Sequence, residues 1–131
     1  MKKLIYTILT IILSLSCETK KQQRQLEYIF LEKGEASWYG PGFNGNKTAN
    51  GEKYDMNDFT AAHRTLAFGT LIRVTTLKAG KRIVIRINDR GPVSKSRILD
   101  LSKSAAKALG IDKKGSGEVK IEIIKFNPEN E

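Results

Sequence analysis

Arg82-Ile83-Val84-Ile85-Arg86-Ile87-Asn88 runs directly into Asp89-Arg90-Gly91-Pro92. In the first seven residues Ile83, Ile85 and Ile87 share one face, and period two with β-branched side chains predicts a half-buried strand. Glu118-Val119-Lys120-Ile121-Glu122-Ile123 repeats the pattern, with Val119, Ile121 and Ile123 on one face. Thr70 to Leu77 reads as a third strand, and Lys78-Ala79-Gly80-Lys81 as the hairpin turn leading out of it. Glu35–Tyr39 and Arg97–Leu101 are shorter strand candidates. A single helix is predicted after Ser102, a capping residue, and Gly110 supplies its left-handed stop. Leu101, Ala105 and Leu109 form a stripe, so that helix packs on the sheet. Short strands, Gly-rich loops and one small helix predict a mainly β domain, a compact barrel. Periodicity alone does not choose among barrels.

Outward from this core, the ends read differently. Met1-Lys2-Lys3 is a positive start, Leu4 to Leu15 is largely apolar, and Ser16-Cys17 follows. That is the pattern of a secretory leader over 1–16. The apolar run is shorter than the roughly 20 residues a spanning helix needs. Cys17 is the single cysteine, so neither an intrachain disulfide nor a multi-cysteine metal site is expected. Leu13-Ser14-Leu15-Ser16-Cys17 resembles a lipobox, departing from it at Ser14, where leucine is commoner. Lipid on Cys17 is therefore expected, and buried acyl chains at about 0.8 kcal/mol per CH₂ would hold the protein on a membrane. Residues 17–33, rich in Lys, Gln, Arg and Glu, read as a tether, interrupted by Tyr28-Ile29-Phe30-Leu31, which could form a first edge strand. Residues 34–126 suffice for one domain, and 127–131 form a tail. The chain carries a formal charge of +9, or +7 once Lys2 and Lys3 leave with the leader. A basic surface suits an anionic partner. Export and the scattering of Lys and Arg among acids argue against nucleic acid.

Three loop clusters can carry chemistry. They are Ala36-Ser37-Trp38-Tyr39-Gly40, Thr48-Ala49-Asn50-Gly51-Glu52-Lys53-Tyr54-Asp55 and Asn88-Asp89-Arg90-Gly91-Pro92. Each sets aromatic or ionisable groups beside glycine, which allows a ligand close to the backbone. Trp38 reads either as a core aromatic or as a platform for a sugar ring. Trp38 and Tyr39 should point to opposite sides of a strand, so regular geometry turns at most one of them to a ligand. His63 is the single histidine. It reads as a hydrogen-bonded structural residue or as a proton-transfer or orienting group, and its spacing supports no zinc site. Asp89, at a strand exit, reads as a turn residue accepting backbone N–H groups, or as a general acid at a groove edge. Glu52 and Asp100 are further carboxyls in suggestive places. Neither a nucleophilic triad nor a phosphate-binding glycine loop is evident, and neither a metal nor a cofactor is expected.

Together these motifs resemble the rare lipoprotein A family. The resemblance runs from about Gly34 to Ile124. It rests on Gly34-Glu35-Ala36-Ser37-Trp38-Tyr39-Gly40, Thr48-Ala49-Asn50-Gly51-Glu52, Leu77 after Arg73-Val74-Thr75, Asn88-Asp89-Arg90-Gly91-Pro92 and Arg97-Ile98-Leu99-Asp100-Leu101-Ser102, in order and spacing. The resemblance implies a double-psi β-barrel, the fold shared with expansins, with a glycan-binding groove across it. It implies a lytic transglycosylase acting on peptidoglycan strands stripped of peptide stems, with Asp89 as catalytic acid and Glu52 and His63 as its accompanying residues. Asp100 matches an aspartate important in expansins. Trp38, Tyr39, Thr48, Asn50, Tyr54, Asn88, Arg90 and Asp100 are the expected substrate-binding set. A monomer in the cell envelope is expected, lipid-anchored, at the outer membrane facing the periplasm in a two-membrane cell. Many members carry a glycan-gripping C-terminal domain beyond the barrel, and this chain ends at Glu131. The alternative is a glycan-binding, wall-loosening module without catalysis, which the same groove would serve.

Overall fold

The computed structural model describes residues 1–8, 11 and 25–127. Two compact units result: Glu27–Lys125, which is the domain, and a second formed by Met1–Leu26 with Phe126–Glu131. In the latter, residues 2–8 are helical, and Thr7 Oγ1 donates to the Lys3 carbonyl at 2.9 Å. Among the described residues no helix is long and apolar enough to cross a membrane. Cys17, Ser14 and Ser16 lie outside the described residues, as does most of the tail.

The strands are β1 (Leu26–Trp38), β2 (Thr60–Ala62), β3 (Leu71–Thr76), β4 (Arg82–Asp89), β5 (Arg97–Leu101) and β6 (Ser116–Phe126), and helix α1 is Lys103–Leu109. They close a barrel in the order β1-β5-β2-β4-β3-β6. β1 pairs with β5, and β2 with β4, in parallel. The contacts of β2 with β5 and of β3 with β4 and β6 are antiparallel. The fold is a double-psi β-barrel, as the motifs implied.

The alternation in the two deciding strands is what fills the barrel. Ile85, Ile87, Val119 and Ile121 are buried, and Ile83 and Ile123 pack against the same core. Ile72 and Val74 of β3, and Leu99 and Leu101 of β5, complete it. The β3–β4 hairpin closes where expected, with Thr76 N–H donating to the Lys81 carbonyl at 2.8 Å. Helix α1 begins at Ser102, whose Oγ accepts from Ala105 N–H at 3.2 Å. It ends at Gly110, whose φ of 75° is the left-handed conformation glycine adopts without a Cβ penalty. Ala105 and Leu109 turn inward.

Two elements differ from the sequence reading. The stretch expected to be a tether up to residue 33 is, from Leu26 onward, part of one 13-residue strand that runs through to Trp38. Its polar composition conceals side chains that hold it down: Glu32 meets the His63 ring at 2.9 Å, and the Arg73 guanidinium lies 3.7 Å over the Tyr28 ring. The other is β2, three residues with no alternation to reveal them. All three are buried, and they lie between β4 and β5.

Candidate active site

β2 sets the geometry of the site. Ala62 is the register partner of Asp89 on one side and of Asp100 on the other. The two aspartates therefore stand level, two strand spacings apart, roughly 10 Å between backbones. The β2–β4 register shifts here: Ala61 pairs with Ile87 but Ala62 with Asp89, leaving Asn88 without a partner on β2. Strand side chains alternate, so an unshifted register would place Asp89 on the same face as the core residue Ile87. With the shift, Asn88 is buried at 2% exposure and Asp89 is half-buried at the barrel surface.

Asp89 accepts three hydrogen bonds. Tyr39 O–H donates to Oδ2 at 2.6 Å. Ala49 N–H and Arg90 N–H donate to Oδ1 at 2.8 and 2.9 Å. A carboxylate oxygen offers about two acceptor positions, so Oδ1 is filled and Oδ2 keeps one open. Tyr39 is packed by Tyr54, with ring centroids 4.8 Å apart, and by Phe43 at 5.8 Å. Burial, and then the Asp89 carboxylate, hold the Tyr39 phenol far above its usual range, so it stays protonated. Burial also raises Tyr54, whose hydroxyl accepts from Lys103 N–H at 3.1 Å.

The loop that delivers Ala49 is built by its own polar side chains. Thr48 Oγ1 lies 2.5 Å from Asn50 Oδ1, and Asn50 Oδ1 also accepts from Glu52 N–H at 3.2 Å. Asn50 N–H donates to the Asn88 carbonyl at 3.2 Å, docking the turn on β4. Glu52 accepts from both Arg86 amino groups, at 2.6 and 3.2 Å, and from the Asn50 amide at 2.9 Å. These bonds, Arg86 foremost, pull its carboxyl down to about 2. Glu52 is thus a fixed carboxylate, and the same pair raises Arg86.

His63 is buried at 5% exposure. Its Nδ1 accepts from Thr65 and Leu66 N–H, both at 3.1 Å. That leaves Nε2 to carry the proton toward Glu32 Oε1, 2.9 Å away. Among the described residues no hydrogen bond joins either Glu52 or the His63 ring to Asp89. His63 reaches Asp89 through the backbone, its N–H donating to the Asp89 carbonyl at 3.2 Å.

An open groove of about 370 Å³ is walled by Trp38, Tyr39, Phe43, Arg90, Val93, Arg97 and Asp100; Asp89 is not part of its lining but is joined to it through Tyr39, whose hydroxyl donates to Oδ2. Asp100 Oδ1 accepts from Ser37 Oγ at 3.0 Å and Arg97 Nε at 3.3 Å. Arg90 turns its guanidinium to the Leu66 carbonyl at 2.8 Å and lies over the Phe68 ring at 4.0 Å. Trp38 packs on the core and donates to the Asp112 carbonyl at 3.2 Å, so Tyr39 rather than Trp38 addresses Asp89. Gly91, at φ 134°, passes over this floor; a Cβ there would come within 3.8 Å of Ala62 and 3.7 Å of Asp100. A larger concavity of about 670 Å³ at the β3–β4 hairpin holds none of the expected site residues. No cluster of metal-binding side chains occurs among the described residues.

Sequence reasoning missed Arg86, Glu32, Phe43 and Arg97. It also missed the Ala49 N–H, a backbone donor that leaves no trace in residue identity. Arg86 occupies a polar position on an alternating strand, where a solvated face is the ordinary expectation. Phe43 follows Pro41-Gly42, which reads as loop.

The closed six-strand barrel, with Asp89 and Asp100 level on either side of β2, defines a double-psi β-barrel domain. Residues 31–121 match the family described as lytic transglycolase. The endolytic peptidoglycan transglycosylase RlpA of Neisseria meningitidis is 54% identical over 95 residues, 72% of this chain and 40% of that protein. Its namesake in Campylobacter jejuni is 48% identical over 97 residues, 74% of this chain and 35% of that one. An expansin from Clavibacter michiganensis superposes with a TM-score of 0.55 at 24% identity, over 75% of this chain and 52% of its own. The chain belongs to the RlpA family of double-psi β-barrel proteins. It spans less than half the length of the two relatives quoted.

Proposed function

We propose that the domain is an endolytic lytic transglycosylase that cuts the bond between N-acetylmuramic acid and N-acetylglucosamine in peptidoglycan stripped of peptide stems. The observation that carries this reading is the setting of Asp89: a half-buried carboxyl oriented by three donors, with one acceptor position of Oδ2 open, and tied through Tyr39 to the wall of the groove. Asp89 in its acid form gives its proton to the glycosidic oxygen as the C1–O bond breaks. The carboxylate then takes the proton of the C6 hydroxyl of the same muramic residue, and O6 closes on C1 as a 1,6-anhydro ring. One proton leaves Asp89 and one returns. The nucleophile is intramolecular, so no second carboxylate is required to activate water, unlike the hydrolases.

Glu52 and His63 act here as positioning residues. Glu52, paired with Arg86, fixes the turn that presents Ala49 N–H; His63 fixes the corner that takes the Arg90 guanidinium. Tyr39, Phe43 and Arg97 are offered as the sugar-facing wall, with Asp100 holding Arg97. Lipid on Cys17 would place the domain in the cell envelope, at the outer membrane in a two-membrane cell, as a monomer.

The test is mass spectrometry of denuded peptidoglycan incubated with the soluble domain. Wild type should release 1,6-anhydro products. Asp89→Asn keeps an oxygen for Ala49 and Arg90 N–H, so it should stay folded and glycan-bound while losing at least about 10²-fold in rate. A wild type that binds strands but releases no anhydro product would establish the non-catalytic wall-binding reading instead.

A further inference from the structure

We infer that Tyr39 is the positioning residue for Asp89, holding Oδ2 by its hydroxyl so that the open acceptor position of that oxygen is the one that exchanges a proton with the glycan. The inference rests on the reaction proposed above and goes beyond the resemblance, which set only Glu52 and His63 beside Asp89 as accompanying residues. Neither of those touches Asp89 with its side chain, whereas Tyr39 O–H does at 2.6 Å. The two donors on Oδ1 are backbone N–H groups, which no side-chain change removes. Tyr39 is therefore the sole side chain among the described residues that orients this carboxyl by a hydrogen bond.

The surroundings suit an orienting role and not that of a second acid. Tyr54 and Phe43 pack against the ring. Burial and the charge of Asp89, with smaller contributions from Asp100 and Tyr54, keep the phenol protonated. The other charged groups near the pair are already engaged: Arg90 with carbonyls, Arg97 with Asp100, and Glu52 with Arg86. A hydrogen bond donated to an ionised carboxylate favours the charged form. Its loss should let the acid form persist to higher pH while loosening the geometry of proton transfer.

The experiment compares wild type, Tyr39→Phe and protein carrying 3-fluorotyrosine at position 39, assayed for anhydro release across pH. Tyr39→Phe should lower kcat about ten- to a hundred-fold, the worth of a hydrogen bond to a charged group. KM should stay within about two-fold, and the alkaline limb should move to higher pH. The fluorinated phenol, a stronger donor with the ring intact, should move that limb to lower pH, and it serves if the Phe variant fails to fold. A raised KM with unchanged kcat would overturn the inference and leave Tyr39 with its place in the sugar-facing wall alone; so would an alkaline limb indifferent to fluorine. Infrared spectra of the ¹³C-aspartate-labelled protein, with the Asp89 band assigned by difference against Asp89→Asn, separate this idea from the activity itself. If wild type yields no anhydro product, the reaction fails. An Asp89 carboxylate band unmoved by Tyr39→Phe or by fluorination overturns the Tyr39 contact on its own account.

Discussion

Glu52 and Arg86 form the ion pair of the site whose pH behaviour can be worked out. The Glu52 carboxyl titrates near 2 in the fold against an ordinary 4.5. Its pairing therefore stabilises the fold fully above about pH 5 and is lost as pH falls from there toward about 2. Glu52→Gln should lower the Tm by an amount constant above about pH 5, and the gap to wild type should close on acidification; a gap that does not change with pH would refute the pairing. His63 makes a different claim. His63→Ala removes the acceptor for two loop N–H groups, two hydrogen bonds that together are worth about 1–3 kcal/mol net. Urea denaturation should show a loss in that range, and an unchanged midpoint would return His63 to the list of dispensable residues. At this scale the sequence marked the right loops but not the couplings. Asp89, Glu52 and His63 stood out because ionisable groups beside glycine do. Arg86 and Glu32 did not, because a charge on a strand face looks solvated until its partner arrives from a distant segment.

Among the elements, the legible ones were those whose pattern carries its own cause. β4 and β6 alternate, α1 has its cap and its glycine stop, and β5 lies where expected. β2 was illegible because three residues hold too little pattern, and its place is fixed by neighbours on both sides. The first half of β1 was legible only as an edge strand over Tyr28–Leu31 inside a tether, because its ties, Tyr28 to Arg73 and Glu32 to His63, are long-range. A domain cut to begin at residue 34 should therefore melt well below one beginning at residue 25. Equal Tm values would restore the tether reading for residues 26–33. For the helix, Ser102→Ala removes the cap on Ala105 N–H and the bond to the Asp58 carbonyl. It should cost about 1–2 kcal/mol, measured by chemical denaturation, and a loss below a few tenths would mean the cap is idle.

For the whole molecule, the mainly β class was readable from periodicity, while the particular barrel came from motif order, since closure depends on pairings no local window contains. The membrane connection belongs to this scale. Cys17→Ala should shift the protein from the membrane to the soluble fraction on cell fractionation, and equal partition of the two forms would end the lipid proposal. The register slip at Asn88 has a consequence for inheritance. Loops around this barrel can gain or lose residues at little cost, but β4 between Ile87 and Asp89 has no such latitude. Deleting Asn88 would leave the carboxyl outward by plain alternation from Ile87, yet it would take away the carbonyl on which the Asn50 turn docks, and with it the support of the Ala49 N–H. Descendants of such a barrel can therefore diversify everything that frames Asp89, yet they must copy that one extra residue faithfully.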